Sequence, residues 1–174
     1  MASRSVLFLD IATTTGWCEG EPGGKPTHGA QRLAPVGADT PEVAAGMIKW
    51  LGGRLQAFVP HLLVYEAPFM PATMNRNTTR LTFGLSMVAE GVAYRMGVRT
   101  IREANLNSIR KAMMGFVPRG KGGFVKRAVI DHVRALGYDP QDDNAADAIL
   151  GWLYACSLID KRVGVETAPL FAGR

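Results

Sequence analysis

Cysteine is scarce in this chain. Cys18 and Cys156 lie far apart, outside any CxxC or Cys/His metal spacing, which excludes a zinc module and a disulfide scaffold. We read them as thiols of a reducing compartment rather than as a pair. Long apolar runs are missing too. No stretch reaches the ~18–20 residues of a membrane span. The first apolar run stops at Asp10 with no small-residue cleavage site behind it, so neither a leader peptide nor a membrane anchor is expected, and a cytoplasmic protein is. Internal repeats and low-complexity tracts are absent. With 47% hydrophobic and 20% charged residues over 174 positions, the composition is globular and fits a single domain over 1–174.

Acidic residues are nearly absent from one region. Between Arg95 and Arg134 ten basic residues face only Glu103 and Asp131, so that stretch carries +8 of a net +5 and the remainder −3. Such asymmetry suits a polyanionic partner, although solvated helix faces would produce the same count.

The patterning alternates strands with helices. SVLFLD (Ser5–Asp10) and LLVYE (Leu62–Glu66) are short, continuous apolar runs expected as buried strands, and Val98–Arg102 is expected as a third. ATTTG reads as a turn, and the Gly/Pro-rich stretch from Gly20 to Pro26 as a hairpin or loop. Thr40 as N-cap with Pro41 behind it opens a helix to about Phe58. Further helices are expected over Thr78–Met96, Asn105–Met114, Phe124–Leu136 and Asn144–Lys161, with PRGKGG (Pro118–Gly123) as a basic loop and a weakly patterned tail from Val163. This order implies a layered α/β domain, in which ligands gather at the carboxyl ends of the strands.

That is where the carboxylates are. Asp10 and Glu66 each close an apolar strand, and Asp143, Asn144 and Asp147 share one face of the last helix through offsets of three and four. Carboxylates gathered at a hydrophobic sheet edge repel each other and resist ionising. Oxygen-loving divalent cations resolve that conflict, and two of them about 3.5–4 Å apart can clamp a phosphodiester. Local roles compete with this reading. Asp10 could form an Asx turn, Glu66 could pair with an arginine, and Asp142 or Asp143 could cap the helix. Asp147, flanked by Ala146 and Ala148 inside the helix, has no such local reason to be there.

The succession LFLDIATTTGW, LLVYEAPFM and DDNAADAILGW resembles the RuvC-type Holliday junction resolvases of the RNase H-like superfamily, with the forms found in phage and prophage looking closest. The resemblance spans roughly Val6 to Ala155. It implies an RNase H-like fold with a central mixed five-stranded sheet flanked by helices. It implies a homodimeric, Mg2+-dependent endonuclease (Mn2+ can substitute, two ions per site) that resolves four-way and other branched DNA by paired nicks, in the host cytoplasm if phage-encoded. Carried over by position, Asp10, Glu66 and Asp147 are catalytic metal ligands. The fourth ligand place holds Asn144 where the family usually has an acid or histidine, so Asn144 or the adjacent Asp143 would act. Lys126 becomes a catalytic cation near the scissile phosphate, and Arg110 its neighbour. Phe69 matches an aromatic set against unstacked bases. The DNA contacts so implied are Phe69, Arg76, Arg110, Lys111, Arg119, Lys121 and Lys126. The first motif, Asp10-Ile11-Ala12, departs from the Asp-Pro-Gly common in the family. For the dimer contact, the stripe Leu81, Leu85, Val88 and Val92 is the candidate, or else it packs on its own sheet.

Three other functions remain open at this level. DIATTTGW also resembles the first phosphate loop of actin- and Hsp70-type ATPases, although this chain is short for the two domains those need. A relative of the same fold could bind junctions without cutting them, or could process RNA, since phosphate contacts carry no sugar information.

Overall fold

The computed structural model describes residues 4–69, 76–120 and 122–163. Five strands form one mixed sheet in the order β3-β2-β1-β4-β5, where β1 is Val6–Asp10, β2 Thr14–Gly20, β3 Thr27–Arg32, β4 Leu62–Glu66 and β5 Ile101–Ala104. β1, β2 and β3 are joined as antiparallel hairpins, and β1–β4 and β4–β5 pair in parallel. The helices are α1 (Thr40–Ala57), α2 (Arg76–Arg95), α3 (Leu106–Met114), α4 (Gly122–Ala135) and α5 (Asp143–Ser157). This is the α/β architecture expected, with the sheet flanked by helices on both faces.

The apolar strands work by their period of two. Val6 and Phe8 of β1 and Leu62 and Val64 of β4 face a core shared with α3, α4 and α5. Leu7, Leu9, Leu63 and Tyr65 face a second core built with α1 and α2. Burial on both faces explains why β1 and β4 read as unbroken apolar runs.

Several boundaries differ from the sequence expectation. ATTTG is not only a turn: Thr14 already begins β2, and the Gly20–Pro26 segment is the hairpin connection into β3. The N-cap of α1 is Asp39, whose carboxylate accepts from the Glu42 N–H; Thr40 lies inside the helix. The third parallel strand covers 101–104 rather than 98–102, since Val98 still bonds back to the end of α2. The helix α2 opens at Arg76, two residues early, α4 takes in Gly122 and Gly123 from the expected loop, and α5 stops at Ser157. Both cysteines are buried and free. On α2, Leu85 is buried in the second core while Leu81, Val88 and Val92 pack half-buried against it, so the apolar stripe lies largely on its own subunit's core.

Two glycines bring α5 down onto the sheet. A methyl group on Gly16 of β2 would sit 2.2 Å from the Asn144 carbonyl oxygen, and one on Gly151 would sit 2.2 Å from the Phe8 ring. Without side chains at these places the helix lies directly on β1 and β2. Its N-terminal turns are thereby held beside the carboxyl end of β1.

Candidate active site

The register of the sheet assembles the first half of the site. β1 and β4 run in parallel with Leu9 opposite Tyr65, so the next residues, Asp10 and Glu66, end neighbouring strands about 4.8 Å apart. Both follow Phe8 and Val64 by two, and therefore face the α5 side. They are close enough to share a hydrogen bond. The second half comes from α5. Asp142 caps it, accepting from the Ala145 N–H at 2.7 Å, and the small residues of its inner face are buried. Asp143, Asn144 and Asp147 are left half-buried on the side toward the strand ends.

Charge is concentrated here at a cost. Burial pushes the Asp10 carboxyl well above its ordinary value, and the charges of Glu66 and Asp147 add to the effect, while Arg110 opposes it. Burial and the Asp147 charge raise Glu66 to about 7, against the pull of its hydrogen bond with Asp10 and of Arg110. Burial raises Asp147 as well, with Arg110 again opposing. Desolvation leads in each case, with like-charge repulsion added to it, a pattern that makes these carboxylates candidates for a functional site.

Two cations offset the charge. The Arg110 guanidinium of α3 donates from Nη2 to Asp147 Oδ1 at 3.3 Å, with both side chains largely buried. Its Nε is buried without a hydrogen-bond partner among the described residues. Lys126 of α4 pairs with Asp143, which raises the lysine's own affinity for its proton. Among the described residues no group of three or more His, Cys, Asp or Glu side chains is arranged to hold a metal ion. Asp10 and Glu66 are engaged with each other, Asp147 with Arg110 and Asp143 with Lys126. The donors converge, in a form closed by the protein's own cations.

A cleft opens over the pair of strand ends. One part, about 180 Å3, is lined by Asp10, Glu66, Phe69, Thr82 and Ser86. An adjoining part of about 330 Å3 runs from Glu66 and Phe69 to Asn105 and Asn107 at the start of α3. Phe69 is 75% exposed at the rim. Arg76 is exposed at the first residue of α2, Lys111 on α3 and Arg119 in the α3–α4 loop, while Lys121 falls outside the described residues. The Asn144 backbone carbonyl lies against Gly16, and the residue is half-buried. Sequence reasoning missed Gly16, Thr82, Ser86, Asn105 and Asn107. Only Asn105 carried a visible signal, as the N-cap of α3.

The sheet order, the helices on both faces and the carboxylates at the strand ends define an RNase H-like fold with an acidic site. Solved structures similar to it include Holliday junction resolvases. Thermus thermophilus RuvC matches with a TM-score of 0.62 and 17% identity, over 89% of this chain and 95% of that one. T. thermophilus RuvC in complex with a Holliday junction substrate matches with a TM-score of 0.66 and 17% identity, over 88% and 95%. The yeast mitochondrial Holliday junction resolvase Ydc2 matches with a TM-score of 0.58 and 14% identity, over 93% and 83%. At these identities the likeness is one of fold. No protein-family model matches the chain, and no curated protein matches its sequence. No helix among the described residues is long and apolar enough to cross a membrane.

Proposed function

We propose that this protein is a divalent-metal-dependent endonuclease that resolves four-way DNA junctions, and related branched DNA, by paired nicks. The observation that carries the reading is the convergence of Asp10, Glu66 and Asp147, from three elements distant in sequence, onto one buried patch at the carboxyl ends of parallel strands. The resolvase fold of its structural neighbours supports the same reading.

The donor set fits a hard cation. It consists of carboxylate and amide oxygens alone, burdened with mutual repulsion that positive charge relieves. Asp10, Glu66 and Asp147 would hold two Mg2+ ions, with Mn2+ as a substitute and with Asn144 or Asp143 completing the set. When bound, the ions supply positive charge to the phosphate oxygens and acidity to the attacking water.

The chain's own residues do the rest. Arg110, whose Nη2 holds Asp147 in place, would supply fixed positive charge beside the scissile phosphate. Lys126, exposed and already drawn to the site by Asp143, offsets charge on the phosphorane-like transition state. Water attacks phosphorus, the bond to the 3′ oxygen breaks, and the products are a 5′-phosphate and a 3′-hydroxyl. Phe69 stands at the rim where an unstacked base would lie. Arg76, Lys111, Arg119 and Lys121 neutralise phosphates along the arms. Paired nicks need two sites, which a C2 homodimer supplies with the symmetry of the junction itself.

The Arg110–Asp147 pair also suits a branch-binding protein that cuts nothing. One experiment separates the two. Synthetic four-way, three-way and linear DNA are incubated with the protein in Mg2+ and in EDTA. Symmetric nicks in the four-way junction, only with Mg2+, are expected. Binding without nicks in either condition would leave the non-catalytic reading standing.

A further inference from the structure

The segment from Ala104 to Ile130 contains six cations, Arg110, Lys111, Arg119, Lys121, Lys126 and Arg127, and no acidic residue. It also carries two phenylalanines turned outward. Phe116 is 55% exposed and Phe124 66% exposed, although burying a phenylalanine is ordinarily favourable. Neither belongs to either core. Phe116 directly follows Gly115, the C-cap of α3, the helix that carries Arg110. Phe124 lies in the first turn of α4, the helix that carries Lys126. Both rings are thus tied to the elements whose cations touch the carboxylates of the site.

The loop is shaped around one of them. Gly120 has a φ of +143°, and a methyl group there would lie 3.2 Å from the Phe124 ring. The ring therefore leans over bare backbone on one side and is open on the other. Arg127, three residues on and exposed, shares its helical face.

We propose that Phe116 and Phe124 form a stacking platform for unpaired nucleobases of the DNA strand leaving the active site. The proposal rests on the endonuclease reading and adds to the Phe69 rim a second contact, carried by α3 and α4. Arg110 and Lys126 are held by Asp147 and Asp143, whereas Lys111, Arg119 and Arg127 are exposed. Exposed rings set among such cations are the chemistry of single-strand binding, in which the cations follow the phosphates and the rings take the base faces. A paired duplex hides its base faces. The platform selects for DNA whose bases are already unstacked, as they are around a branch point.

The test measures binding in EDTA, where cleavage does not interfere. Wild-type protein, Phe116→Ala, Phe124→Ala, Phe124→Tyr and Phe124→Leu are titrated against fluorescent oligo-dT and against a duplex of equal length. Thermal melting and sedimentation monitor fold and assembly. Each alanine variant should lose about tenfold in oligo-dT affinity with duplex affinity changed less than about twofold, and tyrosine should restore binding where leucine does not. Unchanged oligo-dT binding by the alanine variants overturns the proposal. So does an equal loss on both DNAs, a leucine that restores as well as tyrosine, or a change of oligomeric state that marks the rings as a contact between copies. Wild-type nicking of a four-way junction in Mg2+ beside ring-independent oligo-dT binding sinks this inference alone. Ring-dependent oligo-dT binding by a protein that nicks no junction sinks the endonuclease reading alone.

Discussion

Gly16→Ala is a single methyl group placed between the sheet and the helix that carries Asp147. The added carbon would lie 2.2 Å from the Asn144 carbonyl oxygen, where ordinary contacts begin at 3.4 Å. The obstacle is backbone, so no rotamer relieves it, and β2 and the first turn of α5 must separate by about 1 Å. Asp10 pairs across to Gly16 on β2, and Asp147 lies one turn along α5 from Asn144. The separation therefore opens the distance between carboxylates that, in the proposed reaction, act on one phosphate. A misplacement of about 1 Å costs about a hundredfold in rate, whereas overpacking of this kind costs about 1–3 kcal/mol of stability. Gly46→Ala is the control. Its methyl group would meet the Leu33 carbonyl oxygen at 1.9 Å, an equally severe clash under α1 on the other face of the sheet. Junction cleavage under single-turnover conditions, with thermal melting alongside, should show Gly16→Ala slowed about a hundredfold and Gly46→Ala destabilised with its rate nearly kept. A folded Gly16→Ala that cuts at the wild-type rate would refute the claim that this close approach positions the site.

The raised carboxylates make stability depend on pH. Glu66 moves from 4.5 to about 7 on folding, so the stability tied to its protonated form is fully present below about pH 4.5 and lost as the pH rises through about 7, at most about 3 kcal/mol; Asp10 and Asp147 act in the same direction. Metal-free protein should melt lower at pH 8 than at pH 5, and Mg2+ should raise the melting temperature more at pH 8; an equal or higher metal-free value at pH 8 contradicts the electrostatic account. Asp10→Asn removes one of the repelling charges, so it should abolish nicking, keep junction binding in gel shifts, and melt above wild type in EDTA at pH 8. Asp143→Ala and Asn144→Ala separate the fourth-ligand candidates by Mn2+ titration calorimetry: the true ligand loses affinity, and two unchanged isotherms would place the ion elsewhere.

The parts of the molecule legible in the sequence are those whose physics is local. β1 and β4 announced themselves because both faces of each are buried. The α5 face was visible because alanines, leucines and a tryptophan leave only Asp143, Asn144 and Asp147 without an apolar reason. β2 and β3 were obscured by Gly16, Gly20 and Gly29, which weaken a strand pattern and here serve close packing: a methyl group on Gly29 would press on the Trp17 indole. Long-range pairings left no trace. Nothing near Arg110 marks Asp147, 37 residues away, as its partner, and nothing near Glu19 marks Arg54, which pairs with it at 2.7 Å and stacks 3.5 Å over the Trp17 ring. Asp10 and Glu66 could be read as strand ends, but only the parallel register sets them side by side.

The ion pairs explain how so acidic a site can exist before any ligand reaches it. Four carboxylates, Asp10, Glu66, Asp143 and Asp147, meet two cations, Arg110 and Lys126. Fully ionised, the group would carry two uncompensated negative charges in a partly desolvated setting, and burying such charge unpaired is costly. Burial first, and then repulsion from neighbouring carboxylates, raises both Asp10 and Glu66, so the metal-free fold favours retaining a proton there, which reduces that excess. The cations are not interchangeable in this balance. Arg110 is largely buried and bound to Asp147 in the second turn of α5, so it holds that carboxylate in place. Lys126 is exposed and reaches only the rim carboxylate, Asp143, so a phosphate arriving from solvent can draw it away at small desolvation cost. The site therefore has a fixed positive wall and a movable one, which suits the proposed entry, cleavage and release of a strand.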